Sequence, residues 1–200
     1  MTADELVGLA PVIPVVVIDA IEDAVPLAEA LARGGLPAIE VTLRTGAATA
    51  AIERIAAAVD GAVVGAGTVT TSRQVDEALA AGARFLVSPG ATPALLDALQ
   101  ASGVPFLPGV ATASEIVALL ERGITHAKLF PAAVVGGVAA LKAFHGPFPQ
   151  MRFCPTGGID AANAPEYLAQ PNVACVGGSW MTKGDVEAQA REAAGLAAVG

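Results

Sequence analysis

Eight short apolar runs rich in β-branched residues, separated by amphipathic stretches, constrain the fold of this 200-residue chain more than any other feature. They are Val12–Ile18, Ala38–Leu43, Ala62–Ala66, Arg84–Ser88, Val104–Leu107, His126–Phe130, Met151–Cys154 and Val173–Val176. Most are too apolar to have a wet face, as parallel strands covered by helices should be. The stretches between them carry helix boundaries. Thr71 with Gln74, and Thr112 with Glu115, have capping-box spacing, and Thr92-Pro93 places a cap before a proline suited to a first helical turn. Gly35, Gly82, Gly103 and Gly123 stand where such helices should end. A strand–helix unit of about 20–26 residues, repeated eight times, predicts an α/β fold, a closed (β/α)8 TIM barrel, with an open doubly wound sheet as the alternative. The expected domain is one, spanning residues 1–200, with a short N-terminal helix within residues 1–10 lying across the barrel bottom.

Composition narrows the partners. The chain is 54% hydrophobic but only 4% aromatic, so Val, Ile, Leu and Ala must fill the core. Its net charge is −8, with 11 basic residues scattered singly, which argues against nucleic acid and anionic membranes. Cys154 and Cys175 form no disulfide framework, and with His126 and His145 they give no metal-ligand spacing. No basic leader precedes Asp4 and Glu5, and no apolar run is long enough for a membrane span, so a soluble cytoplasmic protein is expected.

Barrel enzymes react at the C-terminal ends of their strands, so inward polar residues there are informative. In the second run, Glu40, Thr42 and Arg44 alternate with Ile39, Val41 and Leu43. The apolar set must face the helices, which turns the polar set toward the barrel mouth. In the sixth run, His126, Lys128 and Phe130 share a face. Of the three lysines, Lys142 falls in a helical stretch and Lys183 in a loop or helix start, leaving Lys128 as the inward one. Lysine is rarely buried unless paired or reactive. A structural Lys128–Glu40 pair is one reading. The other is a nucleophile, since desolvation and a nearby guanidinium both favour the neutral amine that attacks a carbonyl. After runs seven and eight come Thr156-Gly157-Gly158-Ile159 and Gly177-Gly178-Ser179, whose backbone N–H groups can approach an anion closely, in the loops where barrels often hold phosphate. Gly34-Gly35 reads instead as a helix end, and Gly136-Gly137 as a turn or helix start.

Together these residues resemble the 2-keto-3-deoxy-6-phosphogluconate (KDPG) and 4-hydroxy-2-oxoglutarate aldolase family from about Pro11 to Trp180. The resemblance is carried by Ile39-Glu40-Val41-Thr42-Leu43-Arg44-Thr45, Val64-Gly65-Ala66-Gly67-Thr68-Val69, Ser88-Pro89-Gly90, Pro108-Gly109-Val110, Lys128-Leu129-Phe130-Pro131-Ala132, Arg152-Phe153-Cys154-Pro155-Thr156-Gly157-Gly158-Ile159 and Val176-Gly177-Gly178-Ser179-Trp180. It implies a metal-free, cofactor-free homotrimeric barrel aldolase acting on a phosphorylated keto acid and pyruvate. Lys128 would be its Schiff-base lysine and Glu40 its general acid/base. Arg44 and Thr68 would hold the pyruvate carboxylate, while Phe130 would pack beside the pyruvate and Pro89 would line the site. Gly157, Gly158, Gly178 and Ser179 would hold the phosphate, with Thr156 near the new stereocentre. The tail from Gly184 to Gly200 is shorter than in many members.

Three rival readings fit the same residues. The same chemistry could serve 4-hydroxy-2-oxoglutarate or the galactonate epimer. An isomerase or epimerase could use Glu40 alone as base, with Lys128 as an electrostatic aid. A non-catalytic phosphate-binding barrel would make Lys128 dispensable, and the retained inward polar set argues against it.

Overall fold

The computed structural model describes residues 1–196; the last four residues taken into the expected domain lie outside the described residues. Strands β1 (Val12–Val16), β2 (Ala38–Thr42), β3 (Val63–Gly67) and β4 (Leu86–Val87) run parallel in sequence order. The expected fifth strand, Val104–Leu107, is observed as the shorter β5 (Phe106–Leu107), and beyond Pro108 a further short strand, β6 (Gly109–Val110), follows it. A proline has no N–H for the ladder, and here it marks a change of partner: β5 pairs with β4, whereas β6 pairs with β7 (His126–Leu129). Strand β8 (Arg152–Pro155) follows β7, and β9 (Val176–Gly178) pairs with β1. Bridges Phe153–Val173 and Thr156–Gly177 join β8 to β9. The ring of staves therefore closes into a (β/α)8 barrel, and the open sheet is excluded. The last stave sits later than the apolar run suggested, because Val173 makes only a bridge and the ladder is carried by Val176, Gly177 and Gly178.

Helices α2 (Ala24–Arg33), α3 (Ala48–Ala58), α4 (Ser72–Ala80), α5 (Pro93–Ala101), α6 (Ala113–Leu120), α7 (Gly137–His145), α8 (Ala164–Leu168) and α9 (Val186–Ala194) connect the staves or close the chain. Their ends follow the expected chemistry. Thr112 and Glu115 form a reciprocal capping box, and Thr92 caps a helix that begins with Pro93. Thr71 also caps its helix, but Gln74 reaches back to the Thr70 N–H instead of the cap's own. Gly136 and Gly137 open α7 with left-handed backbone. Outside the barrel, Ile39, Val41, Val64, Ala66 and Leu129 face the helices in one large apolar cluster. Gly34 lets α9 lie close on the end of α2: a Cβ there would run into Ala190 and come within 2.9 Å of the Glu187 carbonyl. Among the described residues no helix is long and apolar enough to cross a membrane.

The barrel interior is a second apolar cluster of Ile13, Ala38, Val63, Phe85, Val87, Leu107, Cys154 and Cys175. Its lower end is closed by α1 (Ala3–Val7), which Thr2 and Glu5 start with a capping box and which inserts Leu6 and Val7. The helix is tied down where His126 Nε2 meets Asp4 Oδ1 at 3.1 Å, making His126 a hydrogen-bonded barrel residue. A cleft of about 500 Å³ beside it, lined by Asp4, Arg122 and His126 among others, marks this lower end of the barrel.

Two measurements test this interior. Leu6 is fully buried, so Leu6→Ala should cost about 2–5 kcal/mol in urea unfolding; a cost near zero would mean the helix does not plug the barrel. The Cys175 thiol is pushed well above the usual thiol range by its hydrogen bond with Cys154, then by burial and the negative charge of Glu40. A raised thiol pKa means little thiolate at neutral pH, and the thiolate is the nucleophile. Iodoacetamide at pH 8 should therefore spare Cys175 in the folded protein and label it after denaturation; rapid labelling of the folded protein would contradict the packing.

Candidate active site

Lys128 and Glu40 meet inside the upper barrel. Each lies on an inward position of its strand, and both are almost fully buried, at 5% and 3% exposure. Lys128 Nζ donates to Glu40 Oε1 at 3.0 Å and stands 5.4 Å from the centre of the Phe130 ring. Its strand neighbours in register are Gly109 on one side and Cys154 on the other, both small. Only one of its three possible donor bonds is made to a described residue. A buried ion pair repays its desolvation when its remaining donors and acceptors are also satisfied. This pair keeps capacity in reserve, which suits a reacting group better than a structural bridge.

The other expected residues ring the same end. Thr42 is inward but committed, its hydroxyl donating to the Val16 carbonyl at 3.0 Å. Arg44 lies in the turn beyond β2, exposed to solvent, with no ion pair to a described residue. Thr68, at the end of β3, has a left-handed backbone with φ of 60°. That conformation is costly for a β-branched residue, at about 1–3 kcal/mol, and such strain clusters at functional sites. Pro89 crosses the mouth directly over Gly109, where a Cβ would fall 2.6 Å from the Gly90 nitrogen. Phe130 is half-buried beside Gly157, 3.5 Å from where a Cβ on that glycine would stand. Lys142 and Lys183 are exposed, on α7 and in the bend before α9.

The glycine loops carry backbone groups that could receive an anion. Gly157 and Gly158 have φ of 100° and 75°. Their carbonyls are engaged: Gly157 O accepts from the Ala133 N–H at 3.0 Å, and Gly158 O from Asn163 Nδ2 at 2.9 Å. The Gly158 N–H bonds no acceptor among the described residues, and backbone amides in such a turn can line a concave anion nest. Thr156 packs onto Gly177 across the β8–β9 seam, and its hydroxyl lies 3.4 Å from the Cys154 carbonyl. Gly178 and Ser179 continue the rim, with Ser179 exposed and Gly178 covered by the Trp180 ring.

Two features were not singled out from the sequence. Cys154 and Cys175 lie close beneath the pair, near enough for Glu40 to act on the Cys175 thiol. Gly67 lies directly against the Glu40 carboxylate. A glycine at an inward strand position is the signal that could have marked Gly67, because it often means a close approach. Among the described residues no group of three His, Cys, Asp or Glu side chains is placed to hold a metal ion.

The family model for KDPG and KHG aldolases matches residues 3–196. The 2-dehydro-3-deoxy-phosphogluconate aldolase of Pseudoalteromonas atlantica is 50% identical over 185 residues, covering 92% of this chain and 86% of that protein. The KDPG aldolase structure from Zymomonas mobilis superposes with a TM-score of 0.97 at 46% identity, over 100% of this chain and 99% of its own. That from Legionella pneumophila, solved with pyruvate captured as a covalent carbinolamine intermediate, superposes with a TM-score of 0.94 at 46% identity, over 97% and 98%. An inward lysine and carboxylate in contact, ringed by small residues on a closed barrel, are thus found in a chain that belongs to the KDPG and KHG aldolase family.

Proposed function

We propose that this chain is a class I aldolase cleaving 2-keto-3-deoxy-6-phosphogluconate to pyruvate and glyceraldehyde 3-phosphate, with Lys128 as the imine-forming nucleophile and Glu40 as the proton carrier. The observation that carries this reading is the 3.0 Å contact between Nζ and Oε1 inside a buried barrel. A carboxylate in that position can take the proton that the ammonium must lose before it attacks. The neutral amine adds to the substrate's C2 carbonyl, and loss of water leaves a protonated imine. That cation draws in the electrons of the C3–C4 bond as it breaks, storing them as an enamine. Glu40 removes the C4 hydroxyl proton, freeing the aldehyde, and then returns a proton to the enamine carbon. Hydrolysis of the resulting imine releases pyruvate and restores the lysine. The imine is the electron sink, so the step needs no divalent cation.

Substrate orientation is assigned to the rim. The Gly157 and Gly158 amides, with Gly178 and Ser179, receive the phosphate. Arg44 and Thr68 receive the pyruvate carboxylate; the support is the exposed guanidinium, which pairs with no described residue, and the strained Thr68 backbone on the same end of the barrel. Thr156 stands near the carbon that becomes the stereocentre, and Phe130 and Pro89 wall the site. The homotrimer implied by the resemblance and the cytoplasmic setting expected from the composition belong to the same proposal, and light scattering should return the mass of three chains.

Two experiments separate the parts. Lys128→Ala should abolish turnover. Glu40→Gln should still form the pyruvate imine, while both turnover and exchange of pyruvate methyl protons into deuterated water fall by about 10²–10⁴-fold; exchange at the normal rate would assign the base to another group. For the phosphate, kcat/KM should be at least about tenfold lower for the unphosphorylated substrate, because remote binding orients the reacting carbons. Equal efficiency would remove the glycine loops from the site and make 4-hydroxy-2-oxoglutarate the better substrate.

A further inference from the structure

We propose that Gly67 is a positioning residue whose missing side chain holds the Glu40 carboxylate against Lys128. This rests on the reading of Glu40 as the proton carrier. Glu40 lies in register with Gly65 on the neighbouring strand, and Gly67 is the next inward position toward the mouth. A Cβ built on Gly67 would stand 2.5 Å from Glu40 Cγ and 2.7 Å from its Cδ, and closer still to Oε1. The carboxylate therefore occupies the volume that a side chain at position 67 would fill.

Conformation does not explain the glycine. Gly67 is absent from the glycines with left-handed backbone, among them Gly35, Gly82, Gly157 and Gly158. Any L-residue could adopt its φ, and a glycine inside a strand weakens that strand. Space is the remaining reason, and the space is taken by a reacting group. Gly65 makes the same kind of room for the Phe85 ring, 2.5 Å from its notional Cβ, but that is core packing. At Gly67 the beneficiary is the carboxylate that bonds Nζ.

The consequence is specific. Glu40 is 3% exposed and walled in, so a methyl group at position 67 cannot be met by a small rotation into solvent. The carboxylate must leave its place, and a shift of an ångström or so breaks the 3.0 Å contact with Lys128. The three atoms nearest the notional Cβ all belong to Glu40 and none to Lys128. Imine formation should then survive while proton transfer fails.

The test is a double-mutant cycle between positions 67 and 40, read by exchange of pyruvate methyl protons and by borohydride trapping. Gly67→Ala should still be trapped with pyruvate, with exchange slowed by about 10²-fold. In the Glu40→Gln background, where the base is already gone, the same substitution should slow exchange by less than about threefold more. Normal exchange in Gly67→Ala, or an equal fall in both backgrounds, overturns the proposal. Slow exchange in Glu40→Gln beside normal exchange in Gly67→Ala would strike Gly67 alone; normal exchange in Glu40→Gln would strike the base assignment and Gly67's role with it. Folding supplies a second readout. Gly67→Ala should lower the Tm when Glu40 is present, and have little effect beside Glu40→Ala, where the obstructing atoms are removed. The same penalty in both backgrounds would mean that the methyl group disturbs the barrel backbone, and would overturn the proposal independently of activity.

Discussion

Everything at the upper end of this barrel depends on keeping one lysine and one glutamate in contact away from water. Withdrawing two ions from solvent costs several kcal/mol each, even after the protein relaxes. The chain meets that cost with a single short bond between Nζ and Oε1 and the face of one aromatic ring. Among the described residues no second hydrogen-bond partner reaches Nζ. A stability-driven design would put hydrocarbon there, since well-packed apolar residues often replace a buried ion pair without loss. The other two donors of Lys128 bond no described residue, and a keto acid would bring a carbonyl and a carboxylate to that place.

The closed barrel is what makes such a pair tolerable. Strands β2 and β7 lie on opposite parts of the ring, and only closure through the β8–β9 bridges and the β9–β1 ladder brings their inward faces together. Small residues then clear the space. Gly109 admits Pro89 across the mouth, Gly67 admits the Glu40 carboxylate, and Gly177 admits Thr156. Each glycine weakens its own strand, and each serves a larger neighbour on the next one. Stability is recovered lower down, where Phe85, Ile13 and the Leu6 and Val7 side chains of the α1 plug pack together. The molecule divides into a dry, tightly filled base and a less satisfied, reactive rim.

Much of this was legible in the residues. Eight apolar runs with glycine stops gave the barrel because hydrophobic periodicity and helix caps are local properties, written in neighbouring side chains. Strict alternation through Ile39-Glu40-Val41 and Ala127-Lys128-Leu129 was enough to turn both reacting groups inward. The change of partner at Pro108 and the late start of β9 were less visible, because ladder partners are chosen across the barrel and not along the chain. Arg44 shares parity with Glu40, yet β2 ends at Thr42, so alternation no longer dictates where its side chain goes. The partners of Thr42, His126 and Gly67 are also long-range: Val16, Asp4 and Glu40 are joined to them only by the fold. Parity along a strand tells which way a side chain points; what it meets there is a property of the closed ring.

The central claim, that Lys128 and no other amine carries the substrate, is tested most directly by reducing the protein with borohydride in the presence of pyruvate and mapping the modified peptide by mass spectrometry. The chain has three lysines, Lys128, Lys142 and Lys183, of which the last two are exposed. The expected result is one reduced pyruvate adduct per chain, on the peptide that contains Lys128, formed only when pyruvate and borohydride are present together. An adduct on Lys142 or Lys183, or an unmodified protein that still turns over substrate, would contradict it.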